Sequence, residues 1–300
     1  MGIQAFFLLL LSVSFHASWN LLAKKSSMST AYYTLICVTT VFCWLHIQFW
    51  TPVQVFDLPW NYYLFMSCSV VSDVLYCMGL VHAYRTMEMS TAYPMMRALP
   101  LLLTAGITTL FGLGKPLSPM AMAGMAVVFS GCLLMPLPDF KSFNVKNYFN
   151  CSLFFIIWVA CGTTGYTIFD KQAQNVMCEA FAHVSKPVLA LTYYSCRGIM
   201  LATILLTIVL AWRKERMLLR EYIAERNYTP FLAGLFATGS YSLVLIAMNY
   251  VDNVSYVQAF RQLGLILGVA GGIIILKEQC SAPKICGSIL IVSGLLMSVL

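Results

Sequence analysis

Residues 83–99 read AYRTMEMSTAYPMMRAL, and residues 247–263 read AMNYVDNVSYVQAFRQL. Laid over one another, they put Ala83 on Ala247 and Arg97 on Arg261, at a constant offset of 164 residues. The pairing continues downstream. GKPLSPMAMAGMAVVFSG (114–131) over KEQCSAPKICGSILIVSG (277–294) matches Ser118 with Ser281, Gly124 with Gly287 and Gly131 with Gly294, at offset 163. Upstream, AYYT (31–34) resembles TYYS (192–195), and LLAKK (21–25) resembles IFDKQ (168–172). No single match is strong, but their shared order argues for an internal repeat. Both arginines lie within stretches that are otherwise apolar, which asks why a fixed cation is placed there.

The surroundings answer part of the question. Of the 300 residues, 60% are hydrophobic and 10% charged, with a mean hydropathy of +0.80. A soluble domain carries about 25% charged residues, so the composition describes a polytopic membrane protein. A bilayer-crossing helix needs about 20 apolar residues. Ten such segments are predicted: 3–23, 29–50, 61–84, 90–112, 119–137, 148–169, 187–212, 229–249, 254–276 and 282–300. They use nearly the whole chain and leave no soluble domain. Each is too long for a barrel strand, so the expected class is all-α. The first segment lacks the basic n-region of a cleavable signal and runs on into Lys24 and Lys25. The eleven cysteines form no CxxC and show no metal spacing, so no metal and no cofactor are expected.

The net charge of +7 follows the loops. With ten spans, twelve Lys or Arg residues fall on one side, Lys24, Lys25 and the run from Arg213 to Arg226 among them. Three, Lys115, Lys171 and Lys186, fall on the other. The positive-inside rule makes the first side cytoplasmic and both termini non-cytoplasmic. The stretch WRKERMLLREYIAERN (212–227) is the largest hydrophilic one and is predicted to be a short surface helix or loop.

The repeat divides the chain into 1–137 and 148–300, joined by a linker at 138–147. Five spans per half is an odd number, so the halves cross the membrane in opposite senses. Inverted repeats of this kind are typical of secondary transporters, whose substrate site lies near the midplane at the repeat interface.

Four segments carry a family resemblance: FHASWNLLAKKS (15–26), HAYRTMEMSTAYPMMRALPLLLTA (82–105), GYTIFDKQ (165–172) and VSYVQAFRQLGLILG (254–268). Together they resemble the EamA family of the drug/metabolite transporter superfamily, over nearly the whole chain. The resemblance implies a ten-helix basket of two inverted halves around a central cavity. It implies a small-metabolite substrate drawn from amino acids, sugars, nucleotide sugars, amines, lipid-linked sugars or drugs. Asp73 and Arg197 stand outside the family pattern.

A charge in the bilayer core costs at least ~2.5–3.5 kcal/mol on insertion scales, so it must face protein or water. Arg97 and Arg261 each lie about seven residues, or ~10 Å, into their predicted helices, from opposite sides. One reading has them bind an anionic group, because guanidinium stays charged and grips carboxylate bidentately. The other has them bond backbone carbonyls and lock the repeats. Pro94 and Pro100 flank Arg97, and Gly106, Gly112, Gly271 and Gly272 are candidate flexing points. Asp73, with Tyr76 at i+3, is the clearest buried carboxylate. It suits proton or cation coupling, or a structural pair with Arg97 or Arg197. Asp170, beside Lys171 near a predicted helix end, reads as an interfacial cap or ion pair. His16, Trp19 and Asn20 share one face of the first helix. Tyr93, Tyr166, Tyr241 and Gln258 complete the candidate substrate-binding set. The tyrosines offer a ring for packing and a hydroxyl for a polar group.

Three function classes remain. The first is a secondary transporter of a small polar or amphipathic metabolite, with a zwitterion such as an amino acid reconciling arginines with aromatics. Its partners would be substrate and membrane lipid, with room for proton or cation coupling and for a homodimer, and a plasma or bacterial inner membrane would suit it. No nucleic-acid partner is expected. The second is a lipid-carrier flippase or its accessory subunit. The third is an intramembrane enzyme, which the lack of HExxH, GxSxG or a Walker loop opposes. No catalytic residue is therefore assigned.

Overall fold

The computed structural model describes residues 3–26, 29–86, 89–113, 117–134, 137, 139–142, 144, 151–261, 263–264, 267 and 281–299. The sequence-predicted site residues Tyr93, Arg97 and Gln258 have side chains outside this description. Eleven α-helices are described: α1 (Ile3–Lys25), α2 (Thr30–Trp44), α3 (Trp60–Thr86), α4 (Met89–Leu110), α5 (Pro119–Leu134), α6 (Cys151–Ala180), α7 (Lys186–Ala211), α8 (Arg213–Ala224), α9 (Thr229–Met248), α10 (Val254–Arg261) and α11 (Ala282–Val299). The class is all-α, as composition requires. Among the described residues, four helical segments are long and apolar enough to cross a membrane: Thr30–Phe49, Trp60–Ala83, Lys186–Ala211 and Thr229–Met248.

Helix ends follow local chemistry. Ser29 caps α2, its Oγ accepting from Tyr32 N at 3.1 Å. Ser118 Oγ accepts from Ala121 N at 3.0 Å at the start of α5, and Ser281 Oγ accepts from Lys284 N at 3.4 Å at the start of α11. These two serines are partners in the sequence repeat. Gly112, read from sequence as a flexing point, instead terminates α4. Its φ of 62° is left-handed, and Leu113 N reaches back to Thr108 O at 2.9 Å, which closes a Schellman-type end.

The polarity runs inside out relative to a soluble protein. Leu110, Phe42 and Ile289 are exposed, while Asp73, Asp170, Arg197 and many Ser and Thr side chains are buried. A lipid-facing apolar surface with polar groups turned inward is what the bilayer demands.

Small residues set the tightest seams. A Cβ on Gly131 would stand 2.7 Å from Gly287 O, and one on Gly294 would stand 2.5 Å from Gly124 O. Gly124 pairs with Gly287 in the repeat, and Gly131 with Gly294, so these two contacts between α5 and α11 are each other's counterparts. The α3–α6 seam is similar, with a Gly162 Cβ falling 2.7 Å from Tyr76 N. Between α1 and α9, Ser12 Oγ donates to Ser240 O at 2.8 Å and Ser240 Oγ returns to Ser12 O at 2.9 Å. Gly294→Ala is therefore expected to lose about 1–3 kcal/mol in denaturant unfolding, because backbone must move. Gly106→Ala, with nothing within 4 Å, is expected to be neutral or to gain up to ~1 kcal/mol of helix propensity.

One boundary differs from the sequence reading. The sixth span does not stop at residue 169; α6 continues to Ala180. Lys171 is accordingly not a loop residue. Its Nζ donates to Met248 O at 2.6 Å and Val251 O at 3.1 Å, and Lys186 Nζ donates to Asn249 O at 2.8 Å. Both lysines thus serve the otherwise unpaired carbonyls at the end of α9. Gln174 lies one turn beyond Asp170 and is buried, accepting from Asn249 Nδ2 at 2.9 Å. The polar run DKQAQN is helix because its partners are inside the protein.

The hydrophilic stretch forms α8. Glu215 is buried there and its Oε2 accepts from Ala31 N at 2.9 Å, at the start of α2. The loops after α1 and around α8 therefore lie at the same end of the bundle.

Candidate functional site

A cavity opens among the helices. His16 and Trp19 reach it from α1, Tyr33 and Cys37 from α2, and Asp73 and Tyr76 from α3. Tyr166 comes from α6, Tyr194 and Arg197 from α7, Tyr241 from α9 and Arg261 from α10. Seven helices thus contribute, from both halves of the chain. Eight of the sequence-predicted site residues line it: His16, Trp19, Asp73, Tyr76, Tyr166, Arg197, Tyr241 and Arg261. Asn20 is buried beside it, with Nδ2 donating to His16 O at 2.9 Å.

One wall is a buried ion cluster. Arg197 Nη2 meets Asp73 Oδ2 at 2.8 Å, and Arg197 Nε meets Asp170 Oδ1 at 3.0 Å. Of the arginines considered for Asp73, Arg197 pairs with it, and the Arg97 side chain lies outside the described residues. Asp170 is not an interfacial cap. It is fully buried and is the hub of the cluster. Its Oδ1 also accepts from Tyr193 OH at 2.6 Å and from Ser69 Oγ, and its Oδ2 accepts from Tyr241 OH. Asp73 Oδ1 accepts from Tyr33 OH at 3.0 Å. Two carboxylates thus share one guanidinium, and hydroxyls fill most of the remaining acceptor sites.

The tyrosines form a chain of ring contacts around the cavity. Tyr33 meets Tyr76 at 6.2 Å, Tyr76 meets Tyr166 at 5.7 Å, Tyr166 meets Tyr241 at 5.9 Å and Tyr241 meets Tyr194 at 5.5 Å between centroids. Arg197 Cζ sits 5.5 Å from the Tyr241 ring. Arg261 Cζ sits 5.8 Å from the same ring.

Arg261 differs from Arg197 in having no carboxylate partner among the described residues. It is 6% exposed, and its Nη1 is buried without a hydrogen-bond partner. A buried, unpaired guanidinium nitrogen is costly unless something else completes it. On the far wall, Trp19 Nε1 donates to His16 Nδ1 at 3.0 Å. This fixes the neutral imidazole as the tautomer with its proton on Nε2. Among the described residues, no group of three His, Cys, Asp or Glu side chains is placed to hold a metal.

Sequence reasoning missed Tyr33, Tyr194 and Asp170. The first two were visible as the AYYT and TYYS repeat, a signal used for alignment but not for chemistry. Asp170 was hidden by its lysine neighbour.

The apolar helices and the polar interior define an integral membrane protein with an internal cavity. Residues 152–300 match the EamA-like transporter family. The chain thus carries an EamA-like transporter domain of the drug/metabolite transporter superfamily, in its second half. No curated protein matches the sequence. A crystal structure described only as that of a protein aligns over 99% of this chain and 97% of its own, with TM-score 0.65 and 14% identity. That likeness shows a shared fold across the full length.

Proposed function

We propose that the chain is a secondary carrier that moves a small zwitterion, of the amino-acid kind, across a plasma or bacterial inner membrane by alternating access. The observation that carries this reading is the unpartnered Arg261 Nη1, buried at a cavity whose other described arginine, Arg197, already has carboxylate partners. A substrate carboxylate would complete it with a charge-assisted bond. The substrate ammonium would face Asp73 and the tyrosine rings, which favour cations. Arg97, the repeat partner of Arg261, is the second candidate anion site on sequence grounds.

The carrier reading includes ten spans in two inverted repeats, 1–137 and 148–300, with 138–147 between them. The reciprocal glycine contacts of α5 with α11 and the matched caps at Ser118 and Ser281 support it. The α3–α6 seam joins helices of the two repeats, so each rocking unit draws helices from both. The shared location of α8 and the loop after α1 supports a cytoplasmic face there, with both termini on the other side.

The test is thermal stability of the purified protein against amino acids, organic acids, amines, phosphonates and sugars. A ligand at 100 times its Kd is expected to add about 2.7 kcal/mol to apparent stability. The expected result is a shift from zwitterions that exceeds that from the matching amines or acids alone. A shift only from sugars, or none from any soluble compound, would overturn the zwitterion assignment and favour a lipid-linked substrate.

A further inference from the structure

We propose that Lys171 is a latch: it ties α6 to the turn between α9 and α10, and its release opens the cavity toward the end of the bundle opposite α8. The latch deepens the carrier reading, on which its place in a cycle rests, but it is tested with no ligand.

The seams between helices are of two kinds. Within the α3–α6 pair and the α1–α9 pair, backbones approach closely. A Cβ on Gly162 would fall 2.7 Å from Tyr76 N, and Ser12 and Ser240 each donate to the other's carbonyl. Helices joined in this way move together, because close-packed backbone transmits displacement. The two pairs meet at mid-height, where Tyr241 OH donates to Asp170. At the end opposite α8 they are joined by long side chains. Lys171 Nζ of α6 donates to Met248 O at 2.6 Å and to Val251 O at 3.1 Å, so it holds both the end of α9 and the turn beyond it. Lys186 Nζ of α7 donates to Asn249 O at 2.8 Å, and Asn249 Nδ2 donates to Gln174 Oε1 of α6 at 2.9 Å. Lys171 is half-buried and Lys186 exposed, so water can take over their carbonyl bonds when the joint parts. Parting here is a rocking about the level of Tyr241 and Asp170.

Beneath this joint lies an apolar seal. Leu9, Leu189, Met248 and Val257 belong to one buried apolar cluster. Each stands nearer this end than the cavity residue of its own helix, which is His16, Tyr194, Tyr241 and Arg261 in turn. The cavity thus lies on the α8 side of the seal. Helix α10 starts at Val254, just past the latched turn, and brings Arg261 to the cavity two turns on, roughly 10 Å at 1.5 Å per residue. Holding the turn therefore also positions Arg261.

The sequence repeat supplies a counterpart. LLAKK over IFDKQ sets Lys24 on Lys171, and Ala83 over Ala247 sets Tyr84 on Met248. Lys24 belongs to α1, at the α8 end, and its side chain lies outside the described residues. On sequence grounds it is the candidate for the same tie, from α1 to the end of α3. That tie would join the same two helix pairs at the other end of the bundle. The two lysines then work in alternation, one joint closed while the other is open.

The experiment is alkylation of Cys178 by a water-soluble maleimide, read by peptide mass spectrometry on the purified protein with no ligand. Cys178 is half-buried and its Sγ donates to Asn249 Oδ1 at 3.7 Å, so the latched turn covers it. In Lys171→Met, alkylation is expected to be about ten- to a hundredfold faster than in the native protein, the range for losing a hydrogen bond from a charged group. Lys171→Arg keeps a cation for the carbonyls and is expected to recover most of the native rate. Lys24→Met is expected to slow Cys178 alkylation, because loosening the α8 end favours the state in which the far joint is shut. A lysine that only braced α9 would leave that distant variant at the native rate. An unchanged rate in Lys171→Met, or a rate in Lys24→Met equal to or above the native one, would overturn the latch. If Lys171→Met does not fold, the Lys24→Met rate decides. No ligand enters these measurements, so their failure leaves the carrier reading to its own thermal-shift test, and failure of that test leaves the alkylation result standing.

Discussion

Arg197→Leu is expected to cost on the order of 3–5 kcal/mol of stability, or to prevent folded protein from accumulating. The reason is charge accounting in a dry site. Arg197 is 2% exposed and bonds Asp73, Asp170 and Ser69. Removing it leaves two carboxylates buried together with hydroxyl donors alone, and one must take up a proton or the cluster must open to water. Arg197→Lys keeps the charge but cannot reach both carboxylates with a planar fork. It is expected to lose less than the leucine variant yet remain well below the native protein. Unfolding in detergent, read with the yield of monodisperse protein, measures both. Native-like stability of Arg197→Leu would show that the cluster is not the structural tie described.

Arg261→Ala is expected to do the opposite: retain the fold and lose the ligand. Its buried Nη1 has no hydrogen-bond partner, so truncation strands no partner of that nitrogen. For a ligand carboxylate held there, the loss is about 2–4 kcal/mol, or roughly 30- to 1,000-fold in affinity. Arg261→Lys is expected to recover only part of it, because ammonium cannot offer the bidentate face. Titration calorimetry with whichever zwitterion stabilises the native protein measures the ratio. Two variants that differ in this way, one in stability and one in binding, would separate the two arginines by role.

Much of the architecture was legible because bilayer crossing imposes long apolar runs with few alternatives. The matched glycines at 124, 131, 287 and 294 were readable as a repeat, and they turn out to touch across the α5–α11 seam. The end of α6 was not legible. Asp170, Lys171 and Gln174 look like an exit from the membrane, and only their partners on α3, α7 and α9 make that stretch interior. The same limit applies to the ion cluster. The sequence offered Asp73 two arginines, and spacing along the chain could not choose between them. Tyr33 and Tyr194 were invisible as site residues for a further reason. In an apolar helix a tyrosine is ordinarily a packing residue, and its chemistry appears only when its hydroxyl is seen to meet Asp73 or its ring a cavity wall.

The most direct test is flux. Purified protein in sealed vesicles, preloaded with the stabilising zwitterion, would be given the same compound radiolabelled outside. The account predicts saturable exchange in the native protein and in a cavity-remote control such as Gly106→Ala, with exchange reduced to the empty-vesicle rate in folded Arg261→Ala. Equal exchange in Arg261→Ala, or none in the native protein for a zwitterion shown to bind it, would contradict the account.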